Sequence, residues 1–172
     1  MAQLTALDIA NAFVQLANEV PGGSVDLLKL NKLCYFAQAY HLARFGTPLF
    51  GDETEAWTYG PSYRSVYDAY KKNGRNPIHV PIEPFDEGML SSDELNVMTD
   101  VFMNYGQLTA IDLMNKTHES GSPWAQIFVE GKNKVIPTSV METYYRVNSE
   151  IPEMKINDTV DNVAYGIRHS ET

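Results

Sequence analysis

Apolar positions recur along this chain mostly at helical spacing, interrupted by sharp polar stops. From about Thr5 to Glu19, Ile9, Phe13, Leu16, Ala17 and Val20 follow a helical period, and Pro21-Gly22-Gly23 ends the segment. Ser24 offers an N-cap oxygen for a second helix, about 25–45, with Asp26 in its positive first turn. Two adjacent stripes on that helix, one through Leu27, Leu30, Cys34, Ala37 and His41 and one through Leu33, Phe36 and Tyr40, cover more than half its circumference. A helix apolar over so wide an arc has neighbours on several sides, so it is the expected centre of the core. Gly46 supplies a left-handed C′ position and Pro48 prevents continuation.

The next segment, Glu53-Thr54-Glu55-Ala56-Trp57-Thr58-Tyr59, reads as a short strand or extended stretch that closes at the Gly60-Pro61 turn signal. Pro61 is expected at the first position of a third helix, with Tyr63, Val66, Tyr67 and Tyr70 on its apolar face. Three prolines between Arg75 and Gly88 predict a loop, with a possible short strand at Ile78-His79-Val80. Ser91 and Glu94 form a capping-box pair that opens a helix ending at Gly106. Thr109 caps a helix through about Thr117, Ser122-Pro123-Trp124 starts another, and Ser139 with Glu142 opens a last one. The pattern predicts a mainly α, compact single-domain helical bundle around a central buried helix (about 25–45), with one or two short β segments. Residues 1–147 form the expected domain. Residues 148–172 are polar and weakly periodic, a C-terminal extension whose structure the pattern leaves open.

Composition narrows the function. The 172 residues carry a formal net charge of −9, a field that opposes approach to phosphate backbones and anionic lipid. The densest basic group, Lys71, Lys72 and Arg75, reads as a solvated helix end rather than a nucleic-acid surface. One cysteine, Cys34, excludes an intrachain disulfide, and its place on an apolar stripe makes it a core thiol rather than a nucleophile. The opening MAQLTALDIANAF lacks a basic start and an uninterrupted apolar stretch, so the expected setting is soluble and cytoplasmic.

Phosphate-loop, dinucleotide, zinc-protease and serine-hydrolase signatures are missing. The four histidines lack metal-ligand spacing, and His118-Glu119 is a poor acid–base unit because adjacent side chains point apart. The expectation is therefore no enzyme, no cofactor and no metal.

Two ordered stretches go beyond generic helices. The first is Lys29-Leu30-Asn31-Lys32-Leu33-Cys34-Tyr35-Phe36-Ala37-Gln38-Ala39-Tyr40-His41-Leu42, then Gly46, Pro48-Leu49-Phe50, and Glu55-Ala56-Trp57-Thr58-Tyr59-Gly60-Pro61. The second is Tyr105-Gly106, Leu108-Thr109-Ala110, Thr117-His118 and Pro123-Trp124. Together these resemble the signature of the Panacea (SocA-like antitoxin) family, which includes many phage-associated proteins. Cys34 stands where that pattern usually has leucine, and Ser62 where valine is common.

The resemblance implies a helical protein-binding domain that neutralises a partner toxin. Members are paired with unrelated toxins, so it does not identify the partner. One member is thought to deliver its toxin to a AAA+ protease, which makes a proteolytic adaptor the alternative role. A DNA-binding transcriptional regulator is another, opposed by the acidic balance. The partner-contact candidates it implies are Lys32, Tyr35, Tyr59, Gly60, Pro61, His118 and Trp124. The competing reading is that Tyr35, Trp124 and the Tyr59-Gly60-Pro61 turn simply hold the helices together, since aromatics at turns usually pack first.

Overall fold

A computed structural model describes residues 3–149. In chain order the elements are α1 (Ala6–Glu19), α2 (Leu27–Phe45), β1 (Thr54–Trp57), β2 (Gly60–Ser62), α3 (Arg64–Tyr70), α4 (Ser92–Tyr105), α5 (Ala110–Thr117), α6 (Pro123–Ile127), β3 (Lys134–Ile136) and α7 (Thr138–Asn148). The fold is mainly helical, as the periodicity predicts. α2 runs through its middle, packed against α1, α3, α4, α5, α7 and β2. From Lys29 to Ala43 every residue of α2 is buried. Leu30, Leu33, Cys34 and Ala37 are fully inaccessible, each large aliphatic side chain contributing about 1.5–3 kcal/mol.

The capping signals hold at most helix starts. Thr5–Asp8, Ser91–Glu94 and Thr109–Asp112 form reciprocal capping boxes, and Ser122 caps α6 with Pro123 at its first position. Gly46 ends α2 at φ +73°.

Three starts differ from expectation. Asp26, not Ser24, caps α2, because its carboxylate accepts from the Lys29 amide at 2.8 Å. Pro61 does not begin α3. It lies in β2, paired with Ala56 across the β1–β2 hairpin, and the helix opens at Arg64. α7 begins after Pro137 with no side-chain cap, so Ser139 and Glu142 lie inside it.

β1 is the middle strand of an antiparallel sheet of order β2-β1-β3. Tyr59 and Thr58 form the two-residue tip of its hairpin, and Trp57 pairs with Gly60. β3 went unread in the sequence because Lys134-Val135-Ile136 is too short to show alternation. Ile78 makes a single bridge to Val25 rather than a strand. The extension read over 148–172 falls, beyond its first two residues, outside the described residues. No helix among the described residues is long and apolar enough to cross a membrane.

Candidate functional site

The buried polar side chains of α2 each clasp irregular backbone beside the helix. Lys29 Nζ donates to the Gly106 carbonyl at 2.5 Å, and Asn31 Oδ1 accepts from the Tyr63 amide at 2.9 Å. Gln38 accepts from the Leu49 amide at 2.7 Å and donates to the Phe50 carbonyl at 2.8 Å. His41 Nδ1 lies 2.6 Å from the Thr47 carbonyl. Those to Leu49, Phe50 and Tyr63 satisfy backbone groups of buried residues that would otherwise be unpaired. They give the polar letters of the α2 motif a role in the fold.

Lys32 belongs to this set and also reaches beyond it. Its side chain is fully buried, and Nζ donates to the Pro61 carbonyl at 2.9 Å and to Ser62 Oγ at 3.4 Å. Gly60 covers its stem. Gly60 sits at φ +110°, and a Cβ there would lie 2.6 Å from Lys32 Cε and 2.9 Å from Thr117 Oγ1. The hairpin thus needs glycine at this position both for its backbone and for its close approach. Burial pulls the Lys32 amine down to about 7, against smaller opposing influences from Cys34 and Asp26.

Behind the hairpin, His118 at the C-cap of α5 stacks on Trp124, with ring centroids 3.7 Å apart and planes 3° from parallel. Trp124 in turn donates from Nε1 to the Trp57 carbonyl at 2.7 Å. His118 Nε2 is buried with no hydrogen-bond partner among the described residues. Burial, and secondarily the Lys32 charge, lowers its pKa. Lys32, Gly60, Pro61, His118 and Trp124 therefore form one connected unit around β2.

The remaining two candidates lie apart. Tyr59 stands at the hairpin tip, 65% exposed, while Tyr35 is fully buried among Phe36 and Tyr145 on the side of α2 that faces α7. Burial pushes the Tyr35 phenol well above its ordinary range. Its surroundings are those of a core residue.

A groove of about 520 Å³ opens in front of this unit. Its lining includes Lys32 and Ser62, the aromatic residues Trp57, Tyr59 and Tyr67, and Ile111 and Met114 of α5. Tyr67 was expected on the apolar face of α3, yet it is 40% exposed and meets the Trp57 ring edge-on at 5.3 Å. Ile111 is 54% exposed. Trp57, Tyr67, Ile111 and Met114 escaped the sequence reading because nothing local marks which side of a short strand or helix stays uncovered. Alternation of Trp57 and Tyr59 about Thr58 was the only available hint. Among the described residues no group of three or more His, Cys, Asp or Glu side chains could hold a metal ion. Cys34 is buried, and desolvation raises its thiol far from the reactive range.

A family model described as "Antitoxin SocA-like, Panacea domain" matches residues 30–125, which contain α2, the hairpin, α5 and the His118–Trp124 stack. The chain belongs to the Panacea family. Antitoxin SocA of Caulobacter vibrioides (strain NA1000 / CB15N) is 31% identical over 108 residues, covering 56% of each chain. The chain thus spans about half the length of the curated relative it matches. No solved structure matches. The Panacea signature now has a physical location. Its α2 and hairpin halves meet at the Lys32–Pro61 contact, and its later Thr117-His118 and Pro123-Trp124 elements close over the back of that hairpin.

Proposed function

We propose that this chain is an antitoxin-like, non-enzymatic protein that neutralises a partner toxin by direct binding, with the groove beside Lys32 as the contact surface. The observation that carries the reading is the Panacea match itself, supported by a relative whose name is Antitoxin SocA. The groove is favoured over the rest of the surface because its exposed aromatics adjoin the residues of the family signature. Tyr59 and Tyr67 are large, stiff and amphipathic, the side-chain type that dominates binding energy at protein interfaces. The reading takes both proteins to be cytoplasmic.

Of the candidate contact residues, Tyr59 and the Lys32 end of the groove are assigned to the partner. Gly60, Pro61, His118 and Trp124 are assigned to shaping the surface that the partner meets, and Tyr35 to the core.

The test is co-expression of the chain with each flanking reading frame of its native locus, scoring growth and co-purification together. A neighbour that is toxic alone, and both rescued and retained by this chain, is the expected result. Rescue without a stable complex would replace sequestration by delivery to a AAA+ protease. Absence of any toxic neighbour would remove the antitoxin role.

A further inference from the structure

Lys32 is a fully buried amine, protonated below about pH 7, with unfinished bonding. An ammonium has three donors, and the described residues supply two acceptors, the Pro61 carbonyl at 2.9 Å and Ser62 Oγ at a long 3.4 Å. No Asp or Glu carboxylate among the described residues lies within ion-pair distance of it. Asp26 also lines the groove, but its carboxylate is engaged by the Lys29 amide at the start of α2. A buried charge ordinarily has an anion against it. Holding the Pro61 carbonyl needs only a neutral donor, so the hairpin alone does not account for an ammonium here. The lysine instead lines a groove whose other walls are largely aromatic and aliphatic, with Arg75 adding a second positive group. In a chain of net charge −9, the buried Lys32 amine and Arg75 bring two basic groups to a groove whose lining holds one carboxylate, Asp26.

We infer that the groove receives an Asp or Glu side chain from an apolar segment of the protein partner, whose carboxylate pairs with the Lys32 ammonium while flanking apolar side chains pack on Trp57, Tyr67 and Ile111. This rests on the partner-binding reading and adds the chemistry of what is bound. The groups that face Lys32 or share its groove are Asp26 and Cys34 of α2, Tyr59 of the hairpin, Tyr67 of α3, Arg75 after it, and His118 after α5. None supplies an anion in contact with Nζ. Because burial holds the free amine near 7, capture of a carboxylate takes up a proton above that pH. Affinity for a carboxylate therefore falls about tenfold from pH 6 to pH 8, and affinity for an uncharged analogue does not.

The experiment uses the 172-residue chain alone, with 4-phenylbutyrate and 4-phenylbutyramide as probes. The Lys32 side-chain Cε resonance, assigned by its loss in Lys32→Met, is followed by carbon-13 NMR over pH 5–10. The expected result is millimolar binding of the carboxylate, with an upward move of the Lys32 midpoint by a unit or more and no comparable move with the amide. Lys29→Met, which removes an amine held on Gly106, leaves the carboxylate response intact. An unmoved Lys32 midpoint, or equal affinity for acid and amide, overturns the inference. Micromolar affinity for the free acid would also overturn it as a docking site and reassign the groove to a small carboxylate metabolite. The titration on wild-type protein needs no variant to fold beyond resonance assignment. If toxin rescue stands while this titration fails, only the carboxylate site falls. If the titration succeeds without a toxic neighbour, only the antitoxin role falls.

Discussion

Gly60 lies so close over Lys32 that a Cβ at the glycine would come within 2.6 Å of the lysine Cε. One residue fixes a hairpin at φ +110°, and the other threads beneath it to reach the Pro61 carbonyl. Gly60→Ala therefore combines a strained backbone with a collision against Lys32 and Thr117. The expected cost is about 2–4 kcal/mol of folding stability, measured by urea denaturation. A variant within ~0.5 kcal/mol of wild type would show that the hairpin does not need this close approach.

The buried amine gives stability a distinctive pH dependence. Its folded-state value of about 7 lies below the ordinary lysine value, so the unfolded chain binds more protons between those limits. Stability must then rise with pH above 7, by up to ~1.4 kcal/mol per unit, and be lost as pH falls through 7. Above about pH 10 the trend reverses, because burial has raised Tyr35, Tyr63 and Tyr145 and their ionisation favours unfolding. Denaturation midpoints at pH 6, 7, 8 and 9 should increase in wild type and flatten in Lys32→Met. A wild-type profile that is flat from 7 to 9 would place the Lys32 amine at its ordinary value.

Trp124 holds the later half of the signature against the hairpin through one hydrogen bond, to the Trp57 carbonyl, while its ring stacks on His118 and Phe128. Trp124→Phe keeps an aromatic ring against His118 but leaves the Trp57 carbonyl without its 2.7 Å donor. The expected loss is about 1–2 kcal/mol of stability, visible as a lower thermal midpoint. No change in midpoint would mean that water replaces the indole donor at no cost.

Much of this fold was legible in the sequence. The helix starts at Thr5, Ser91, Thr109 and Ser122 announced themselves through local capping chemistry, and the two-sided apolar pattern of 25–45 marked the central helix. What local pattern could not supply was tertiary. Pro61 fits a helix start by propensity, yet pairing with Ala56 draws it into a strand. Tyr67 shares its helical stripe with Tyr63 and Tyr70, yet only those two are buried, because Trp57 meets Tyr67 at the groove instead. The candidate residues were read as one class. The fold separates them into a support around β2 that is buried at Lys32, Gly60 and Pro61 and half-buried at His118 and Trp124, a core tyrosine at Tyr35, and an exposed tip at Tyr59.

That separation predicts opposite phenotypes for neighbouring residues. Tyr59→Ala removes a side chain that is 65% exposed, so stability should change by less than ~0.5 kcal/mol. Partner affinity should nonetheless fall by about tenfold or more, as expected for an aromatic at the centre of an interface. Thermal melts and a binding titration on the same preparation separate the two effects, and a lower midpoint would mark Tyr59 as a packing residue.

The most direct test of the central claim is rescue and co-purification by a groove variant beside a surface control. Tyr59→Ala combined with Ile111→Asp alters two exposed groove positions, while Val80→Asp alters a side chain that is 77% exposed and outside the groove. A toxin neutralised and retained by wild type is expected to be neutralised and retained by Val80→Asp as well, but to escape the folded groove variant. Full neutralisation and retention by the groove variant would contradict the assignment of this surface to the partner.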